Sequence, residues 1–303
     1  MENKKPTKRQ HFVPRFLLEN FTGRDGKLVQ YAFKYKYYSH KFPSQICYRE
    51  FLYETKFDGR DKIEGNKDFV YINRIENYFK TKEDVYAPCI RTVLDICSNP
   101  KNTNSLVCST AHKEILASFS ANILLRNPVI MNTAELGVKD SKLWQSNNVK
   151  IIIDILKYLG IDNIDSIALA ARKGAWFDEK LDNSAQSIIK RHIIQNMSFN
   201  FFVSNNAHFI VTDFPFSYHV SCAKNKINVL NVPLSSNCLL ALVNKKIDER
   251  NDNRISYVDD DMVIFCNKLM IKSNKNDLEY IYAKDQKDIE EILHKIGDNN
   301  DQT

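Results

Sequence analysis

The stretch NFFVSNNAHFIVTDFPFSYHV, residues 200–220, decides the fold class. Three short apolar runs, NFFVS (200–204), HFIVTD (208–213) and SYHV (217–220), are separated by Asn, Pro and Ser. Two more follow, INVLNV (227–232) and CLLALV (238–243). Runs of this length bounded by turn residues predict strands of a β-meander or small mixed sheet. Downstream, DDDMVIFCNKLMIKS (259–273) predicts a helix, EYIYA (279–283) a strand and DQKDIEEILHKI (285–296) a closing amphipathic helix.

Upstream the texture is helical. At 100° per residue, Glu76, Phe79, Glu83, Tyr86, Ala87, Ile90, Leu94 and Cys97 share one stripe of a long helix beginning near residue 68. Pro88 is expected to kink or divide it. A second helix is expected from Asn104 to Arg126, ended by Asn127-Pro128. Its apolar side carries Cys108, Ile115, Leu116, Phe119 and Ile123, with His112, Asn122 and Arg126 in the same arc. Shorter helices are expected in 148–159, 164–173 and 184–197.

The N-terminal part adds a helix in PRFLLENF (14–21), where Pro14 suits a first turn, and a strand in KLVQYAFKYKYY (27–38). In the latter, Val29, Tyr31, Phe33, Tyr35 and Tyr37 alternate with polar residues or alanine. Alternation favours a core face opposite a lysine face over a nucleic-acid platform of interleaved aromatics and lysines. QICYREFLYET (45–55) predicts another strand. The class is therefore α+β, a single domain over 1–303 with a helical middle and β-rich ends. The polar segments 1–8 and 297–303 read as mobile tails.

Composition narrows the function classes. A charged share of 26% and hydrophobic share of 43% are those of a globular protein. The net charge of +6 suits anionic partners but falls short of a dedicated DNA-binding module. The seven cysteines form no CxxC and no zinc-finger spacing. With no secretory leader discernible, they read as reduced thiols of a cytoplasmic protein. No apolar run approaches the roughly 20 residues needed to span a bilayer. The phosphate-loop, dinucleotide, zincin and serine-hydrolase motifs are absent.

What stands out is polarity where an apolar face is expected. Glu83 on the first helix and Arg126 on the second form a structural salt bridge or part of a site. Asp213 ends a predicted strand, where an Asx turn before Pro215 is the simpler account. His11 stands three residues before Pro14, with Arg15 following. Both are expected to point inward, beside a helix N-terminus suited to an anion.

Four segments in order, QHFVPRFLLENF (10–21), IENYFKTKEDVYAPCIRTVL (75–94), LLRNP (124–128) and FIVTDFPF (209–216), resemble the bacterial domain-of-unknown-function family DUF4238. PLSSNCLLAL (233–242) extends the likeness. The chain departs from the family's pattern at Gln10 and Phe12, where a second His or a Tyr is usual, and at Asn127 and Thr212. The resemblance implies no known reaction, but His11, Glu83, Arg126 and Asp213 all fall in the matched segments, which favours one shared polar pocket.

The expectation is a phosphodiester hydrolase, nuclease-like, acting in defence against phage. His11, Glu83 and Asp213 would be catalytic and Arg15 and Arg126 would bind the phosphate of a nucleic acid or similar ligand. No metal set can be written from spacing, although the carboxylates are compatible with a divalent ion. The alternatives are a non-catalytic module that binds an anionic partner, and a scaffold whose polar core is structural.

Overall fold

A computed structural model describes residues 6–56, 69–70, 73–99, 101, 107–128, 184–221, 226–248, 252–274 and 278–297. Two sheets organise it. The larger has the order β12-β7-β11-β10-β9, formed by β7 (Met197–Val203), β9 (Ser217–Ser221), β10 (Lys226–Ser235), β11 (Cys238–Asn244) and β12 (Arg254–Tyr257). Its first four strands in the chain pair antiparallel; β9, β10 and β11 form the expected meander, whereas β7 pairs with β11, and β12 joins β7 in parallel and was not foreseen. The smaller sheet has the order β3-β2-β13-β8, with β2 (Leu28–Ala32), β3 (Tyr37–Lys41), β8 (Val211–Thr212) and β13 (Tyr280–Ala283). The fold is α+β.

Helices α2 (Arg74–Ser98), α3 (Thr110–Leu125) and α4 (Ala185–Asn196) share one core with the larger sheet. Ser109 and Ser184 cap α3 and α4 by accepting from the amides of His112 and Ser187, each closing a first-turn donor. From Leu116 to Leu125, α3 is buried on every side, so its hydroxyls must pair inside the core. Ser118 bonds the Tyr86 hydroxyl of α2 at 2.8 Å, and its carbonyl accepts from Gln186 of α4 at 2.7 Å. The smaller sheet packs one face on α5 (Asp260–Asn274) and α6 (Gln286–Gly297), through Ile210, Met270, Ile281, Ile289 and Ile292.

Several expectations are corrected. KLVQYAFKYKYY is a hairpin rather than one strand. The chain turns between Ala32 and Tyr37, with Lys36 in left-handed backbone (φ 51°) and its amide on the Ala32 carbonyl at 2.8 Å. The alternation therefore fails beyond the turn: Tyr31, Phe33 and Tyr38 pack inward, while Tyr35 and Tyr37 stay exposed. QICYREFLYET holds β4 (Tyr48–Glu50), interrupted on both sides by left-handed Cys47 and Phe51. Helix α2 continues through Pro88 as one element. The expected Asn104 start of α3 moves to Thr110, because Ser109 caps there. HFIVTD contributes only two residues of strand, and to the smaller sheet.

Helix α1 (Arg15–Glu19) is a single turn, too short to carry an N-terminal anion site. The N-terminal segment is anchored from Thr7, whose amide bonds Asn73 at 2.7 Å, and Lys8 pairs with Glu50 at 3.1 Å. The expected helices at 148–159 and 164–173, and residues 1–5 and 298–303 of the expected tails, lie outside the described residues. No described helix is long and apolar enough to cross a membrane.

Candidate functional site

The expected four-residue set divides into three and one. Arg126 follows the last turn of α3 and is 2% exposed. One guanidinium nitrogen donates to Glu83 Oε1 at 2.6 Å, another to the main-chain carbonyl of His11 at 2.6 Å, and Nε to the Tyr53 hydroxyl at 3.4 Å. The plane lies over the Phe79 ring, 4.2 Å from its centroid. Phe79 and Glu83 are one helical turn apart on α2, so a single face supplies both the stacking surface and the counter-ion. Tyr53 in turn donates to the same His11 carbonyl at 3.0 Å. The cluster thus knots α2, α3 and β1 (Arg9–His11).

A second polar layer lies beside it. Gln10 is fully buried, donates to Glu54 at 2.7 Å and accepts from the Tyr53 amide at 2.6 Å. Glu54 also accepts from the Asn73 amide at 3.0 Å, at the left-handed residue that opens α2. Glu76 lies within electrostatic reach of Arg126, Glu83 and Glu54. Glu76 Oε2 is buried and has no hydrogen-bond partner among the described residues. Burial, opposed by Arg126 and reinforced by Glu83 and Glu54, pushes Glu76 up to about 7.

That shift has a testable sign. From its ordinary 4.5 up to about 7, the native chain holds a proton on Glu76 that the unfolded chain releases. Its contribution to stability is complete below 4.5 and is lost as pH rises toward 7. Neutral E76Q should therefore melt above the natural chain at a pH of about 8 and level with it near pH 5. Equal gaps at the two pH values, measured by thermal denaturation, would contradict this.

His11 contributes its main chain to the Arg126 knot and its ring to a different neighbourhood. The imidazole lies against Tyr48, centroids 5.6 Å apart, and bonds the Ser44 main chain. Burial first, then Arg15, Arg126 and Arg9, lower it to about 4, so it is neutral at physiological pH. Its Nε2 is buried without a hydrogen-bond partner among the described residues. Because Arg126 uses only the carbonyl, H11A should lower stability by about 1–2 kcal/mol and keep the knot. A collapse of the fold on H11A would contradict this. Arg15, expected to point inward, is exposed and 4.0 Å from Glu19.

Asp213 sits elsewhere. Thr212 makes the local turn, its hydroxyl bonding the Phe214 carbonyl at 2.6 Å and accepting from the Phe214 amide at 3.2 Å. This leaves the Asp213 carboxyl to reach across to β13. Its Oδ2 accepts from the amides of Glu279 (3.1 Å) and Tyr280 (2.9 Å), and its Oδ1 from the Tyr282 hydroxyl at 3.0 Å, with Cys47 Sγ at 3.9 Å. The Asx-turn expectation is thus replaced by a long-range clamp. Burial, offset by the bonds from Tyr282 and Tyr280, raises Asp213 to about 7. The same burial holds the Cys47 thiol well above its ordinary value and removes it as a nucleophile.

Asp213 lies in a cavity of about 150 Å³ walled by Phe12, Tyr48, Phe214, Tyr280 and Tyr282, with Arg49 and Glu279 also lining it. Phe12 and Pro128 place it beside the Arg126 knot, since Phe12 follows His11 and Pro128 stands two residues after Arg126. Sequence reasoning missed Tyr282, Tyr280, Tyr48 and Cys47, whose aromatic or apolar character resembles ordinary core. It also missed the knot's Tyr53, and passed over Gln10, which it marked only as a departure from the family pattern.

One further group was not foreseen. His208 Nδ1 is 3.1 Å from both oxygens of Asp288 and 3.8 Å from Asp285 Oδ2, a set that could hold a metal ion. The Asp285 amide also donates to Asp288 at 3.2 Å, as at a capped helix start, so capping and the His208–Asp288 hydrogen bond account for the arrangement.

The chain thus joins an α+β frame, a buried guanidinium knot and an aromatic cleft lined by Asp213. The chain belongs to the family of proteins of unknown function DUF4238, whose model matches residues 9–287. No curated protein matches the chain, and no solved structure does.

Proposed function

We propose that this protein is a phosphodiester hydrolase acting on nucleic acid, with Asp213 as its general base. What carries the proposal is a carboxyl raised to about 7 that opens on an aromatic-walled cleft. A base with that pKa divides its population between the two protonation states near neutrality, the condition for efficient proton transfer. Asp213 would take a proton from a water as its oxygen bonds to phosphorus; the P–O bond to the leaving oxygen would break, and that oxygen would take a proton from solvent to leave as an alcohol. Arg49, which lines the cleft 3.9 Å from Glu279, would exchange that partner for the phosphate. Neutral His11 supports the Tyr48 wall, while Arg126 and Glu83 hold the frame and Arg15 adds to the basic exterior.

A non-catalytic binding role is favoured by one observation: both Asp213 oxygens already accept bonds from β13, as a structural clamp requires. Turnover separates the two. The intact chain, with and without a divalent metal, should cleave single-stranded oligonucleotides or bis(p-nitrophenyl) phosphate. Salt-sensitive binding with no product under either condition would leave the binding role.

A further inference from the structure

The hairpin turn leaves two tyrosines on the outside. Tyr35 is 63% and Tyr37 48% exposed, and their rings are 6.2 Å apart. Exposure of large rings at adjacent positions is unusual for a surface with no partner. The register gives them a direction. Tyr37 and Tyr280 both pair with Ala32, one from each side, so the two tyrosines stand on the same face of the sheet, roughly 10 Å apart. Tyr280 in turn stands 6.2 Å from Tyr282 along β13, and both line the Asp213 cleft. The Tyr280 hydroxyl is raised by burial, then by Glu279 and Asp213, and then by Tyr37 and Tyr35, which places the exposed pair within its reach.

Cations accompany the rings. Lys34 lies over Tyr35 at 5.3 Å, and Arg9 over Tyr48, another residue lining the cleft, at 5.0 Å. Lys34, Lys36 and Arg9 have no carboxylate partner among the described residues, whereas Arg49 and Lys8 pair with Glu279 and Glu50. Lys34 and Lys36 stand in an exposed hairpin turn, where charged residues are ordinary. That accounts for the charges but leaves the exposed rings unexplained.

We propose that the strip from Tyr35 and Tyr37 through Tyr280 to the Asp213 cleft is a track for single-stranded nucleic acid. It rests on the hydrolase proposal above and names the substrate class. Unpaired bases stack on the tyrosines and the phosphates follow Lys34, Lys36 and Arg9, a combination suited to single strands of any sequence. A duplex, whose bases are already stacked, offers only its phosphates. An acidic protein segment would satisfy the cations but not the rings.

The test is fluorescence anisotropy of a labelled oligothymidylate dodecamer with the full-length D213N chain, used to keep the probe intact, and the same chain carrying Y35A and Y37A. Both positions are exposed, so the fold should persist, which circular dichroism checks. Binding is expected at about 50 mM salt and should weaken steeply with added salt. Removing two stacking rings should weaken it by about 25-fold or more, at fivefold or more for each base. A double-ring variant within twofold of its parent would overturn the track. So would a duplex of the same length binding equally well, equal competition by polyglutamate, or no binding of the dodecamer. Dodecamer binding without cleavage by the natural chain would keep the track and remove the hydrolase. Cleavage of bis(p-nitrophenyl) phosphate without dodecamer binding would do the reverse.

Discussion

Replacing Arg126 by leucine should lower the melting temperature by roughly 10 °C, from a loss of about 3–5 kcal/mol. Arg126 is the largest of the fully buried side chains described, and its guanidinium ties Glu83 of α2 to the His11 carbonyl of β1. Leucine fills part of its volume but accepts none of its duties. Among the described residues it leaves the His11 carbonyl with the Tyr53 hydroxyl alone, and it leaves Glu76 and Glu83 without their counter-charge. The penalty of removing one partner from a buried pair comes chiefly from the charge left behind. Adding E83Q to R126L should therefore recover stability, although Glu83 is 29% exposed and part of its charge is already solvated. E83Q alone should cost less than R126L, because Arg126 keeps the His11 carbonyl, the Tyr53 hydroxyl and the Phe79 face. An R126L chain that melts within two degrees of the natural one would refute this account of the knot.

The second large effect is expected on activity. D213N should reduce phosphodiester hydrolysis by about 10²–10⁴-fold, the contribution typical of a positioned general base. Asparagine keeps an oxygen for the Glu279 and Tyr280 amides, and its amide group can donate to the Tyr282 hydroxyl. The fold should therefore survive with a modest loss of stability. D213A is the harsher change, since it orphans three donors at about 1–3 kcal/mol each. If D213N and D213A both unfold the chain, Asp213 is a clamp first. If D213N folds and retains full turnover, the base lies elsewhere.

The local patterns were legible where one physical signal dominated. The strands of residues 197–203 and 217–244, the two long helices and the Glu83–Arg126 pairing follow from periodicity and from polar residues on apolar stripes. Patterns failed where backbone conformation intervened. Nothing in the composition of KLVQYAFKYKYY marks Lys36 as left-handed, and that one residue turns a strand into a hairpin and exposes Tyr35 and Tyr37. At Asp213 the local reading chose an Asx turn because Pro215 follows, while Thr212 took that role and freed the carboxyl for residues more than sixty positions away. Long-range partners such as Tyr282 and Tyr53 carry no mark in sequence beyond being aromatic. His11, Glu83, Arg126 and Asp213 could be singled out one by one, but their division into a knot and a cleft is a property of the fold.

The measurement that bears most directly on the central claim is the pH dependence of phosphodiester hydrolysis by the natural chain, with D213N beside it. With a general base raised to about 7, kcat/KM should rise about tenfold per pH unit on the acid side, level off above pH 7, and be nearly abolished in D213N. A rate that is flat from about pH 5 to 8, or a D213N chain that keeps the same profile, would contradict the assignment of Asp213 as the working carboxyl.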